Sequence, residues 1–398
     1  MIPKIDSQIG ITVFSTKFEG IGGKIRSKSE DFEVSEVISE KSLKLISEQD
    51  GYAVYKLKKK NIDTNHALSD LFRKKGLRLK ALGLKDASAI TEQFVCSNNK
   101  GRSIDDYASL KYSLKKIGSV QKPLSKKDMI GNHFKIKITD CKSNLSEFTE
   151  HDKILNFYGY QRFGSKRAVT HLIGKAILQK NFEKAVELIL SFRSPFDSKE
   201  NNEIREKLID KSNYEKYFDQ VPPQMDIERM VLREMIDGGD SQKSIRQVPL
   251  SLRRFYIQAY QSFLFNHTLS SAFSDGENLF EPQAGDVCFD FKGIIGKFIR
   301  GADQRLAIPF VGYSYYKKTR FDYQISKILE LEEISPKDFF IKEMQEVSNE
   351  GGFRQSAISC SNYSSEGNTL EFTLSRGSFA TILLREIMKP ENPLNAGF

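Results

Sequence analysis

The chain has 398 residues, 39% of them hydrophobic and 28% charged, with a formal net charge of +9. That length predicts two or more compact units, and the composition is globular rather than disordered or fibrous. The basic excess favours an anionic partner, nucleic acid foremost, although lysines that merely solvate the surface give the same balance.

In chain order, residues 24–36 read as a strand, with Phe32, Val34 and Glu36 alternating against Glu33, Ser35 and Val37. Tyr52–Leu57 is a second strand. A helix follows: Asp63 or Thr64 caps it, Ala67, Leu68, Leu71 and Phe72 form its apolar stripe, and Gly76 ends it. Leu77–Leu82 then leads into a turn at Asp86, from which Gln93–Cys96 emerges as a strand. Tyr112–Leu114 and His133–Ile138 also alternate, so the first half reads as a sheet covered on one face.

From Lys166 onward the apolar spacing becomes helical, through Ala168–Ile177 and Phe182–Ile189. Residues 195–245 are polar with short helical stretches. Residues 253–273 read as a strong helix with Phe255, Ala259, Phe263 and Leu264 on one side. Thr369–Leu374 returns to strand, and a turn at Arg376-Gly377-Ser378 leads into a helix through Met388 that Ser378 is placed to cap.

The four cysteines are far apart and form no C-x-x-C pair, so they read as free thiols of a reducing compartment. The five histidines show no H-x-x-x-H spacing. No metal and no cofactor is expected. No apolar run approaches the ~20 residues that cross a bilayer, and the first residues lack a signal-peptide core. A cytoplasmic protein is expected, with no membrane association and no obligate protein partner.

Three segments carry chemistry. Gly83-Leu84-Lys85-Asp86 places a carboxylate at a tight turn between apolar segments, where an Asp ordinarily bonds its own backbone. Asn156-Phe157-Tyr158-Gly159-Tyr160-Gln161-Arg162-Phe163-Gly164 interleaves aromatics with an Arg and amides. That mixture suits stacking and hydrogen bonding of an unpaired base, or anchoring of a loop to the core. Arg376-Gly377-Ser378-Phe379-Ala380-Thr381 offers a glycine turn, one aromatic and a helix start that can hold a phosphate or serve as a plain cap.

With Glu30-Asp31-Phe32-Glu33-Val34, these segments together resemble the TruD family of RNA pseudouridine synthases, in order and in wide separation. Arg253–Asn266 is similar to a helix of that family's inserted domain. The resemblance spans nearly the whole chain. It implies an α+β fold: a catalytic domain of residues 1–181 and 350–398 on a largely antiparallel mixed sheet, and an inserted, helix-rich TRUD domain of residues 182–349.

It implies further that Asp86 is the catalytic carboxylate and that Phe32, Asn156 and Phe379 contact the target uridine. Arg26 falls where the family places a basic residue able to pair with that Asp. Tyr158 falls where bacterial members often carry Phe, and its ring can still stack. The expected substrate is tRNA, most closely uridine 13 of the D-arm.

Isomerising uridine breaks N1–C1′ and rejoins the base through C5, with nothing oxidised. One ionised carboxylate suffices, as nucleophile or as base. Two alternatives share the fold: an RNA-binding protein without catalysis, and a synthase for another RNA uridine. A hydrolase pairing Asp86 with Glu92 is disfavoured, since six strand positions separate the two by ~20 Å.

Overall fold

The computed structural model describes residues 1–83, 85, 89–316 and 319–398. Ahead of the first strand runs a helical turn, α1 (Lys4–Gln8). The stretch read as one strand over residues 24–36 is two: β1 (Gly22–Lys24) and β2 (Phe32–Ile38). The chain breaks at Arg26, which takes a left-handed φ of 57°, and at a 3-10 turn over Ser29–Asp31. Period-two burial then holds along β2, with Phe32, Val34, Glu36 and Ile38 inward.

After a short helix, α2 (Glu40–Lys44), comes β3 (Tyr52–Lys59). Then α3 (Thr64–Lys75) forms as its sequence predicts. The Asp63 side chain accepts from the His66 N–H, and Gly76 ends the helix at φ 66°. β4 (Leu79–Ala81) and β5 (Ile90–Ser97) flank the expected Asp86 turn. β6 (Tyr107–Ala108), β7 (Tyr112–Val120), β8 (Met129–Lys137) and β9 (Thr139–Cys141) complete the first part.

The main sheet runs β14-β15-β8-β2-β5-β3-β7-β6, with β14 (Cys360–Glu366) and β15 (Thr369–Ser375) from near the end of the chain and β4 paired to β5. β2 and β5 are parallel. The other pairings among the described strands are antiparallel, as in β15–β8, β2–β8, β3–β5 and β3–β7. β1 and β9 form a separate ribbon.

Coverage on one face holds only over part of this sheet. At β8 and β15 the outer face carries Lys135 and Glu371, paired at 2.8 Å. At β3 and β5 both faces are covered, whereas β7 leaves Ser113 and Lys115 exposed. Tyr55, Leu57, Val95 and Leu114 pack on α3, while Val54, Phe94 and Cys96 pack with Ile38 on the other side. These central strands therefore read as apolar runs rather than strict alternation.

The helical part begins with α4 (Thr170–Leu178) and α5 (Phe182–Ser191). The polar stretch 195–245 holds α6 (Lys199–Lys207), α7 (Tyr214–Tyr217), α8 (Asp226–Ile236) and α9 (Ser241–Gln247). The long α10 (Leu250–Ser274) is not the one-sided helix its apolar spacing predicts. Tyr256, Ile257, Gln261, Phe265, Asn266 and Ser270 are all buried, so the helix is enclosed around most of its girth. α4 crosses it closely at Gly174, where any Cβ would stand 2.1 Å from the Tyr256 carbonyl oxygen.

A small sheet, β11-β10-β12-β13, borders α10. Its strands are β10 (Val287–Asp290), β11 (Ile295–Lys297), β12 (Gln304–Phe310) and β13 (Gly352–Gln355). α11 (Asp322–Leu331) lies between β12 and β13 in sequence. The last helix, α12 (Ala380–Met388), starts at Phe379 rather than at Ser378, and no side chain caps it. One continuous apolar core joins β2, β8 and β15 to α4, α5, α10 and α12. No helix among the described residues is long and apolar enough to cross a membrane.

Candidate active site

A cavity of about 250 Å³ opens on the inner face of β2, β5 and β8, where the start of α12 meets the sheet. Its apolar walls are Phe32, Val34 and Phe134 from the sheet and Phe379 from the turn before α12. Phe32 stands edge-on to Phe134, with ring centroids 6.3 Å apart, and Phe134 stacks on Phe372 at 5.3 Å. These rings are braced from behind, so the cavity's apolar face is rigid.

Arg26 lines the same cavity. Its guanidinium lies 4.2 Å from the Phe32 ring centroid and donates to the Gly397 carbonyl at 2.8 Å. A left-handed backbone at a residue with a Cβ costs about 1–3 kcal/mol. Here it turns the chain so that a cation reaches the ring that forms the wall.

Asp86, the expected catalytic carboxylate, lies outside the described residues. The residues on either side of it are well held. Lys85 and Ala89 both line the cavity. The Lys85 N–H donates to Thr64 Oγ1 at 3.0 Å, and its carbonyl accepts from Lys59 Nζ at 3.0 Å. Gln93 Nε2 donates to the Gly83 carbonyl at 3.0 Å. Lys85 Nζ reaches Glu36 Oε1 at 3.1 Å, and Glu36 also accepts from the Phe94 N–H at 2.9 Å. Burial pushes the Glu36 carboxyl up, while Lys85 and that N–H oppose the shift.

Asn156 and Tyr158 do not line the cavity. Asn156 is buried, with its Nδ2 on the Gln355 carbonyl at 3.2 Å and its Oδ1 on Arg354 Nη2 at 2.9 Å. Tyr158 is 8% exposed. Its ring centroid lies 5.9 Å from that of Phe379 and 5.7 Å from that of Phe265 on α10, with the Arg354 guanidinium 3.9 Å away. Phe157, Tyr160 and Phe163 are buried too. The aromatic run thus anchors its loop, and Tyr158 stands behind Phe379. Gly159 packs closely there, and a Cβ would stand 2.9 Å from Thr381 Oγ1, so that hydroxyl would have to shift.

Arg354, on β13, had no signal in the sequence. Besides Asn156 it donates to the Gly377 carbonyl at 2.7 Å, so one guanidinium fork clamps the aromatic loop to the turn before α12. Lysine carries no such fork. We expect Arg354→Lys to cost about 2–3 kcal/mol in a chemical denaturation series. A loss under about 0.5 kcal/mol would mean that the clamp is not stabilising.

Glu92 lies one position along β5 from Thr91, which lines the cavity, and so faces the other way. It pairs with Lys56 at 2.7 Å. No second carboxylate for hydrolysis comes from it. Among the described residues no cluster of His, Cys, Asp and Glu could hold a metal, and the four cysteines are unbridged.

Residues 8–387 match the family model described as tRNA pseudouridine synthase D (TruD). The chain belongs to the TruD family. Similar TruD proteins include the probable tRNA pseudouridine synthases D of Methanococcoides burtonii and Methanosarcina acetivorans. The first is 29% identical over 98% of both chains. The second is 30% identical over 98% of this chain and 97% of the relative. The fold agrees as well. A crystal structure of the putative TruD of Methanosarcina mazei superposes with a TM-score of 0.82 at 28% identity, covering 99% of each chain.

Proposed function

We propose that this TruD protein isomerises uridine to pseudouridine in tRNA, at uridine 13 of the D-arm, with Asp86 as the catalytic carboxylate. The observation that carries this reading is the cavity itself. Lys85 and Ala89, on either side of Asp86, line it together with Phe32, Phe379 and Arg26, and the relatives are named for tRNA.

A flipped uracil fits between the aromatic walls, and the rings offset the stacking that it loses on leaving the RNA, at ~1–3 kcal/mol per base. Arg26 provides positive charge where a carboxylate must stay ionised. Phe32 and Phe379 touch the base directly. Asn156 and Tyr158 serve the uridine by fixing the loop and the Phe379 ring. The reaction releases the C5 hydrogen to solvent and gives N1 a hydrogen, so product and substrate are isomers.

The proposed domain division is residues 1–181 with 350–398 as the catalytic domain and 182–349 as the insert. β13 reaches from the first into the small sheet of the second. The RNA lies across both.

The test is release of the C5 hydrogen from labelled tRNA transcripts by the purified protein. Release from wild-type tRNA that vanishes when uridine 13 becomes cytidine supports the reading. Release that persists in that transcript gives another target, and no release from any tRNA leaves the non-catalytic alternative. The basic balance adds an expectation: tRNA affinity falls steeply with salt, because each released counterion gains less entropy in a more concentrated solution. A flat salt titration would remove the electrostatic part of the reading.

A further inference from the structure

Two polar groups in the cavity have no role in the reading above. Thr91 on β5 is 2% exposed and its Oγ1 has no hydrogen-bond partner among the described residues. Asn132 on β8 also lines the cavity, and its buried Oδ1 likewise has no partner among the described residues. Buried polar atoms are nearly always paired, and one left without a partner costs about 1–3 kcal/mol. Two such atoms in one cavity point to a ligand that completes them.

The sheet fixes their spacing. Val34 on β2 pairs with Thr91 on one side and Phe134 on the other, and Asn132 pairs with Glu36. Thr91 and Asn132 therefore stand on the same face, two strands apart and two residues offset along them, about 12 Å between Cα positions at ~4.8 Å per strand and ~3.4 Å per residue. A pyrimidine edge hydrogen-bonded at about 2.9 Å on each side, together with the reach of the two side chains, spans that gap.

Uracil has a property that makes this pair useful beyond binding. Once the N1–C1′ bond is broken, the base must present C5 where N1 had been. A half-turn about the line through N3 and C6 does this. It exchanges N1 with C5 and O2 with O4, and it leaves N3–H where it was. A site that accepts from N3–H and donates to the carbonyls beside it is satisfied equally before and after the turn.

We propose that Asn132 and Thr91 hold the target uracil through this turn, with Asn132 Oδ1 accepting from N3–H and Thr91 Oγ1 donating to one of the two carbonyls that flank it. Both are positioning residues. The Asn132 amide Nδ2 is free to bond the nearer carbonyl. O2 and O4 change places between these donors, and no donor or acceptor is left empty at either end of the motion. The inference rests on the pseudouridine synthase reading of the same cavity.

The probe is tRNA whose target uridine is replaced by 3-deazauridine, in which C–H stands for N3–H. It is used as a competitor of pseudouridine formation. For the wild-type protein we expect this competitor to bind about tenfold more weakly than the uridine tRNA, the value of one lost hydrogen bond. Asn132→Ala is expected to bind both equally and to release part of the cleaved base as free uracil. Thr91→Val, which keeps the side-chain shape, is expected to lower kcat about tenfold with little change in KM.

An Asn132→Ala protein that still discriminates tenfold, or wild-type protein that does not discriminate at all, overturns the proposal while the enzyme reading stands. If Asn132→Ala does not fold, Asn132→Ser carries the same test. Wild-type protein that forms no pseudouridine in any tRNA defeats both readings.

Discussion

Replacing Asp86 by Asn is expected to abolish pseudouridine formation, by a factor of about 10⁴ or more, and to leave tRNA affinity within a few fold. The substitution keeps the side-chain size and removes the charge. An amide neither attacks C1′ nor takes a sugar proton, so nucleophilic and basic roles fail alike. Affinity is expected to come instead from phosphate contacts spread over a chain of net charge +9. Release of the C5 hydrogen under single-turnover conditions, with affinity measured alongside, separates the two. A variant with undiminished release would rule out Asp86 as the catalyst. One that loses affinity in proportion would mean that Asp86 acts in binding.

The parts of the fold that were legible in sequence are those set by local chemistry. Asp63 and Gly76 bound α3 because a side-chain cap and a left-handed terminus are decided within a few residues. α10 departs from its one-sided spacing because its enclosed girth includes polar residues whose partners are distant. Gln261 Nε2 donates to the Val311 carbonyl, Asn266 Nδ2 to that of Ile9, and Ser270 Oγ to that of Gly10. Sequence spacing alone marks such residues as a solvent face.

The same division holds at the site. Phe32 and Phe379 line one cavity although their motifs lie at opposite ends of the sequence. Arg354 was invisible because its contact with Asn156 joins positions 198 apart and follows from β13 pairing with β12. Asn132 and Thr91 carry no local signal, because only the β5-β2-β8 order sets them around a shared space. The Ser378 cap failed for a related reason: its hydroxyl sits 3.4 Å from that of Ser375, within the turn.

Arg385→Met is expected to destabilise the protein by about 3–5 kcal/mol. Arg385, Asp6 and Glu386 are all fully buried. The guanidinium donates to Asp6 Oδ2, to Glu386 Oε1 at 2.9 Å and to the Val13 carbonyl at 3.0 Å. Asp6 also accepts from the Tyr160 hydroxyl at 2.8 Å, and Glu386 Oε2 from the Thr16 hydroxyl at 2.9 Å. Methionine matches the volume and leaves two carboxylates enclosed with no cation.

This network ties α12 to α1 and to the aromatic loop, and α12 begins at the cavity wall. Its loss should therefore lower activity as well as stability. Lys184→Met, which removes a pair with Glu187 that is about half exposed on both sides, serves as the control, with an expected change below about 0.5 kcal/mol. Denaturation midpoints for the two variants decide the matter. Equal shifts would show that the buried cation contributes no more than a surface one, and that packing alone holds α12 against the sheet.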